Sequence, residues 1–287
     1  MTTDKRDDLD GKVAIVTGGG GGVGRAEALR LAADGAAVVV NDFNAASANE
    51  TTALIRESGG RAETAPGDVS SMAVAEEAVH VAVERFGRLD VLINNAGNSR
   101  PRFIVNLSEE DWDSVIGTHL KGTFAFTKFA ARHWQAEFKR TGQPVNAAVV
   151  NTTSVNGLHG EPGYVNYVAA KGAIASITLM LAKELATFGV RVNAIAPLAR
   201  SGMSAPLFGT DIFSDDRIDE LSPEMVAEVA GWLCSPRSAP LTGEIVNFSG
   251  ARLNTVTEWP EKGSATSADR LWSYAKLDRA RAELFGS

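Results

Sequence analysis

Cysteine is all but missing from these 287 residues: only Cys234 is present, so the chain cannot close an internal disulfide and does not read as a disulfide-built secreted scaffold. Cys234 lies beside Trp232 and Leu233 in an apolar helical stretch, where it reads as a reduced packing residue of a cytoplasmic protein. Long apolar runs are lacking too. No stretch approaches the ~18 apolar residues of a membrane span. The opening Met1 to Asp10 is polar, with four aspartates and no apolar export segment, so membrane insertion is not expected. Basic charge is in deficit, 28 Lys and Arg against 35 Asp and Glu, and scattered, which speaks against nucleic acid as a partner.

At 44% hydrophobic and 22% charged, the chain is neither disordered nor fibrous. A domain of this length buries about three quarters of its unfolded surface, so its core requires neither disulfide nor metal, and no metal site is expected.

Short β-branched runs alternate with longer amphipathic ones from Lys12 nearly to residue 250, the pattern of βαβ units around a parallel sheet. Strands are predicted at Val13–Val16, Ala36–Asn41, Ala62–Ala65, Leu89–Ile93, Val145–Thr152, Arg191–Ile195 and Glu244–Phe248. These runs are apolar on both faces, as a sheet covered on both sides requires. Helices are predicted at Gly22–Asp34, Ala46–Ser58, through Val81 to Phe86, at Tyr164–Phe188 and at Pro223–Cys234. Another starts at an N-cap, Ser108, and runs to about Arg140 with one interruption near Gly117. The fold class is α/β, one doubly wound domain across 1–287 with a core of about 8–250 and a C-terminal extension at 251–287. Between Pro197 and Leu221 an aperiodic run rich in Gly, Ser and Pro reads as a functional loop.

Thr17 to Gly24 contains five consecutive glycines between the first strand and a helix, where small residues let the backbone approach a pyrophosphate at the helix N-terminus. Asp42 ends the second strand, about twenty residues on, where a carboxylate accepts hydrogen bonds from ribose hydroxyls and repels a 2′-phosphate. That favours NAD as the cofactor, with Arg25 keeping NADP as the alternative. Asp68-Val69 and Asn94 to Gly97 follow the third and fourth strands at the ligand-binding edge of such a sheet. Tyr167 and Lys171 share a helix face at i and i+4, so the ammonium is expected to draw the phenol toward phenolate and fit it for proton transfer. Ser154 stands thirteen residues before Tyr167, at the end of the fifth strand.

In their order and spacing, Thr17 to Gly24, Asn94 to Gly97, Ser154, Tyr167 and Lys171 resemble the short-chain dehydrogenase/reductase family over roughly residues 8 to 250. The resemblance implies a seven-stranded parallel sheet, a nicotinamide cofactor and interconversion of a secondary alcohol and a ketone. It implies that Ser154 holds the substrate oxygen, that Tyr167 is the acid/base, and that Lys171 tunes Tyr167 and binds nicotinamide ribose, so that both also contact cofactor. Gly18, Gly22, Val23 and Gly24 would cradle the pyrophosphate, Asp68 and Val69 flank the adenine, and Asn95, Ala96, Gly97 and Pro197 line the cofactor groove. A homotetramer or dimer is also implied. Where the family usually carries a relay asparagine this chain has His119, in His119-Leu120-Lys121-Gly122. That departure, with residues 38–42, 193–197 and 201–204, is similar to the (3R)-hydroxyacyl-CoA dehydrogenase parts of the type 2 multifunctional enzymes, also called type 4 17β-hydroxysteroid dehydrogenases. The implied substrate is a 3-hydroxyacyl-CoA or a steroid-like alcohol, with Arg100, Arg102 and Arg200 near the pocket mouth for CoA phosphates. The alternatives are an NADPH-dependent 3-oxoacyl reductase of lipid synthesis and a NAD-binding regulator without turnover.

Overall fold

The computed structural model describes residues 8–198, 221–249, 252–256, 264–266 and 273–285. Two compact units are distinguished, Met1–Val256 and Thr257–Ser287. The described part of the second contains one helix, α9 (Tyr274–Phe285). Arg200, residues 201–204 and most of the loop up to Leu221 lie outside the described residues, as do Leu271 and Trp272 of the extension.

In the first unit the chain runs β1 (Val13–Thr17), α1 (Gly22–Ala33), β2 (Ala37–Asn41), α2 (Ala45–Glu57), β3 (Arg61–Thr64), α3 (Met72–Phe86) and β4 (Val91–Asn94). It continues with α4 (Glu109–Ile116), α5 (Gly122–Thr141), β5 (Ala147–Thr152), α6 (Val155–His159), α7 (Val165–Leu185), β6 (Val190–Pro197), α8 (Pro223–Cys234), β7 (Ile245–Ser249) and β8 (Arg252–Thr255). Ser108 caps α4 as expected, its Oγ accepting from the Asp111 N–H at 3.1 Å. The interruption near Gly117 is one π-helical turn, Gly117–Lys121, joining α4 to α5. Such turns place a side chain differently from an unbroken helix and recur at functional sites. This one carries His119.

Among the described residues the sheet has eight strands in the order β3-β2-β1-β4-β5-β6-β7-β8. Seven are parallel, and the eighth corrects the expected all-parallel sheet: β8 pairs with β7 antiparallel, Phe248 opposite Leu253. Only two residues separate β7 from β8, too few for the crossover a parallel neighbour needs, so the chain folds straight back. Strand side chains alternate between two cores, Val13 and Ile15 facing Phe126 and Trp134 on one side, Ala14 and Val16 facing Leu31 and Leu233 on the other. Helix α7 with its following turn, Val165–Phe188, reaches the length and apolar character of a membrane span, contrary to the sequence expectation. In the fold that apolar length covers the sheet, packed on β5 and β6.

Helix α1 packs on α8, and Glu27 is sealed on α1 at 1% exposure with neither carboxyl oxygen hydrogen-bonded. Beside it Arg30 pairs with Asp34 and with Glu228 of α8. The two halves of the sheet diverge at β1 and β4, so the carboxyl ends of these strands open a crevice, the place where such sheets bind ligands.

Candidate active site

Thr17 ends β1 and holds the crevice together: its Oγ accepts the N–H groups of Asn95 (3.0 Å) and Ala96 (3.1 Å). The Asn95 side chain donates to the Thr17 carbonyl at 3.0 Å. The segment after β4 is thereby pressed on the glycine loop, and no side chain fits between: a Cβ on Gly24 would stand 2.2 Å from the Gly18 oxygen, and one on Gly18 2.9 Å from Ala96 Cα. Gly18 and Gly22 also adopt positive φ, 65° and 51°. Around Gly21 and Gly22, by contrast, the space is open. Helix α1 starts there with no side-chain cap and no acidic residue in its first turn, so its leading N–H groups stay available to an anion. These residues fit a dinucleotide pyrophosphate.

Asp42, just past β2, accepts from the Gly20 N–H (2.9 Å) and the Asn44 N–H (2.9 Å), which aim its carboxylate at the loop. Arg25 is already engaged, donating to the Gly20 carbonyl at 2.6 Å and to Glu50 at 2.7 Å. Asn41 was not singled out in the sequence, yet its buried amide donates to the carbonyls of Ala65 (2.8 Å) and Gly67 (3.3 Å) and so places Asp68 and Val69 at the same edge. Pro197 closes β6 opposite Phe248 of β7.

Across the crevice Ser154 caps α6, its hydroxyl accepting the Asn156 N–H at 3.3 Å, and it stands close enough to Tyr167 to favour the phenolate. Lys171 is 2% exposed, donates to the Thr152 carbonyl at 2.5 Å, and stands 5.6 Å from the centre of the Tyr167 ring. His119 meets the same ring edge-on, centroids 5.3 Å apart. The four residues singled out from sequence, on three different helical segments, are therefore neighbours. Burial decides their charges. It pushes Lys171 down to about 7, and it holds Tyr167 above its ordinary value despite Ser154. The expected draw of Tyr167 toward phenolate by Lys171 is thus corrected: in a desolvated pair both charged forms are disfavoured.

His119 is pushed down to about 3 by burial first and then by the Lys171 charge, so the imidazole is neutral. Its Nε2 lies 2.7 Å from the Asn98 carbonyl and 3.0 Å from the Asn98 N–H. The carbonyl contact asks for a proton on Nε2 and the N–H contact for a lone pair there, so Asn98 holds the ring without choosing its tautomer. Nδ1 is buried and has no partner among the described residues. Gly97 leaves room for the ring, since a Cβ there would stand 2.4 Å from His119 Cε1. Sequence reading also missed a buried polar chain beneath the site: Asn94 donates to Thr127 (3.0 Å) and Asn151 (2.9 Å), and Asn151 to Thr178 (2.9 Å). It ties the ends of β4 and β5 to α5 and α7. No periodicity marks such residues, because Asn94 and Asn151 read locally as ordinary strand-end polar groups and Thr127 and Thr178 as ordinary helical threonines.

Residues 12–208 match the short chain dehydrogenase family. The chain is 42% identical over 270 residues to the hydroxyacyl-CoA dehydrogenase ChsB1 of Mycobacterium tuberculosis, covering 91% of this chain and 84% of that one. It is 37% identical over 235 residues to the peroxisomal multifunctional enzyme type 2 of Mus musculus, 79% of this chain but 30% of that longer protein. It is 34% identical over 258 residues to the 3-oxoacyl-[acyl-carrier-protein] reductase FabG of Thermotoga maritima, 84% of this chain and 98% of that one. The crystal structure of a short chain dehydrogenase from Mycobacterium avium superposes with a TM-score of 0.87 at 39% identity, covering 97% and 96% of the two chains. With crevice, glycine loop and Ser154, Tyr167 and Lys171 arranged as described, the chain belongs to the short-chain dehydrogenase/reductase family, oxidoreductases of hydroxyl and keto groups.

Proposed function

We propose that the chain is a NAD-dependent dehydrogenase of a 3-hydroxyacyl-CoA or a similarly bulky, steroid-like secondary alcohol. The observation that carries this reading is the meeting of Ser154, Tyr167, Lys171 and His119 beside the crevice mouth. When bound, the nicotinamide supplies the hydride acceptor, and the glycine loop, Asp42 and Lys171 are the residues to hold the cofactor. Ser154 orients the substrate hydroxyl, and Tyr167 takes its proton. Lys171 sits behind the tyrosine and supplies positive charge whenever it is protonated. With its proton on Nε2, His119 offers Nδ1 as a neutral acceptor, the part an asparagine plays elsewhere in the family. The exposed Arg100 and Arg102 suit the phosphates of CoA, and the name of the mycobacterial relative, a hydroxyacyl-CoA dehydrogenase, favours the same substrate class. The reading includes a homodimer or homotetramer, supported by the exposed Phe124 on α5 and Met180 on α7.

A 340 nm assay with NAD and, separately, NADP against (3R)- and (3S)-hydroxyacyl-CoAs, steroid alcohols and simple secondary alcohols tests the whole reading. Turnover of a hydroxyacyl-CoA with NAD is the expected result. A firm preference for NADPH and an oxoacyl thioester favours the reductase reading to which the Thermotoga relative points. Cofactor binding without turnover of any alcohol leaves only a NAD-binding regulator.

Two narrower outcomes are expected. Asp42→Ala removes charged acceptors from the ribose position and should raise KM for NAD about tenfold, one charged hydrogen bond being worth roughly 1.5–3 kcal/mol, while narrowing the gap to NADP. An unchanged cofactor ratio would remove Asp42 from that role. His119→Asn, which keeps a neutral acceptor, should hold kcat within about tenfold of wild type, whereas His119→Leu should lower it by about 10²-fold. Equal losses in the two variants would show that the ring matters for packing alone.

A further inference from the structure

Asn166, the residue just before Tyr167, is 1% exposed, and both ends of its amide are engaged. Its oxygen accepts the Tyr167 N–H at 2.8 Å, one of the leading donors of α7, which begins without a side-chain cap from Tyr164. Its NH2 group donates to the carbonyls of Arg100 (3.1 Å) and Asp111 (3.1 Å). One side chain thereby joins the segment after β4, the first turn of α4, and the backbone of the proton-transferring tyrosine. The joint is doubled nearby, where the Arg102 N–H donates to the Gly163 carbonyl at 2.8 Å.

The segment so anchored has an amphiphilic surface. Arg100 and Arg102 are exposed, and immediately after them Phe103, Ile104 and Val105 turn 66%, 68% and 84% of their surfaces to solvent. Three consecutive large apolar side chains facing water next to two cations match a ligand whose anionic head adjoins an apolar chain. Asn98, at the root of the segment, is itself held by Ser114 (3.0 Å) and Thr118 (3.1 Å) and contacts His119, so the root cannot drift from the site.

We propose that Asn166 is a positioning and specificity-determining residue that fastens residues 100–105, a docking segment for the remote end of the substrate, to the backbone of Tyr167. The inference rests on the acyl-CoA reading above. Binding energy gathered far from the reacting carbon then aligns that carbon with the acid/base, because segment and tyrosine are held by one amide. Asn166→Asp tests this: it keeps the oxygen for the Tyr167 N–H but loses both donors to the carbonyls.

The experiment compares (3R)-3-hydroxybutyryl-CoA with its N-acetylcysteamine thioester, which has the same reacting carbon but no nucleotide end. Asn166→Asp should raise KM for the CoA ester about tenfold and leave kcat on the truncated thioester within about twofold. Replacing Arg100 and Arg102 together by Ala, on the surface, should reproduce the selective loss. Hydrogen exchange across residues 99–106 should accelerate at least tenfold in Asn166→Asp, a readout independent of any substrate. Unchanged exchange, or equal losses on both thioesters, would overturn the role of Asn166. Accelerated exchange in an enzyme that never distinguished the two thioesters would instead uphold the fastening and overturn the acyl-CoA reading.

Discussion

Tyr167→Phe is expected to lower kcat for alcohol oxidation by about 10³-fold while leaving NAD affinity within about twofold. The hydroxyl that the variant lacks is the one facing Ser154, and acid/base groups of this kind contribute 10²–10⁴-fold. The ring itself packs against His119 and Tyr164 and is kept by phenylalanine, so the fold and the glycine loop are undisturbed. The pH dependence has a definite sign. Burial holds Tyr167 protonated beyond its ordinary range, and oxidation needs the tyrosine ready to accept a proton, so wild-type kcat should rise with pH on the alkaline side of neutrality. Lys171, pushed down to about 7, loses its charge over the same range and opposes that rise. Steady-state rates from pH 6 to 10 and cofactor titration by fluorescence check both parts. Near-normal turnover in Tyr167→Phe would end the proposed mechanism.

Glu27→Gln should stabilise the protein at alkaline pH and hardly at all near pH 5. Glu27 has no hydrogen-bond partner inside the contact between α1 and α8, and burial raises its pKa from 4.5 to about 8. Between those values the folded chain retains a proton that the unfolded chain has released, so stability falls as pH rises through that window and the full loss is present above about 8. At 1.36 kcal/mol per unit the ceiling is about 5 kcal/mol. Part of it is relieved by local relaxation, and a gain in melting temperature of about 5 °C or more at pH 8.5 is the expected size. The groups facing Glu27 explain why it finds no relief: the thiol of Cys234 is itself held protonated, and the nearby Arg30 is committed to Asp34 and Glu228. Lys171 works the other way between about 7 and 10.5, and His119 between about 3 and 6.5, where the unfolded chain keeps the proton, so the wild-type curve alone mixes these effects. The difference between variant and wild type isolates Glu27. Parallel melting curves across pH 5 to 8.5 would show that this carboxyl is not buried as described.

Legibility followed the reach of the interactions. Strands β1, β2 and β5, the cap at Ser108 and the glycine turn were readable because each rests on residues within one element or one turn of the chain. Helix α6 was not, since five residues carry too little periodicity, and β8 was not, since its place depends on β7 offering a free edge. The site divided the same way. Tyr167 and Lys171 were readable as a pair because α-helical spacing puts them on one face. Asn41, Asn98, Asn151 and Asn166 were not, because an amide's partners come from other elements and leave no period behind.

By itself, then, the sequence determined an alternating α/β chain, the glycine turn before α1, the acidic residue after β2 and the Ser154, Tyr167, Lys171 set: features written in local spacing. Only the tertiary structure decided the charge states and the orientation within that set. Closing the sheet and its helices over the pocket removes water from Tyr167, Lys171 and His119 together, and desolvation there outweighs the attraction that spacing alone suggested. Asn98 holds the His119 ring at Nε2, and Asn166 links the acid/base to a segment more than sixty residues earlier in the chain. Such effects depend on three-dimensional neighbours and on excluded water, neither of which a linear pattern encodes.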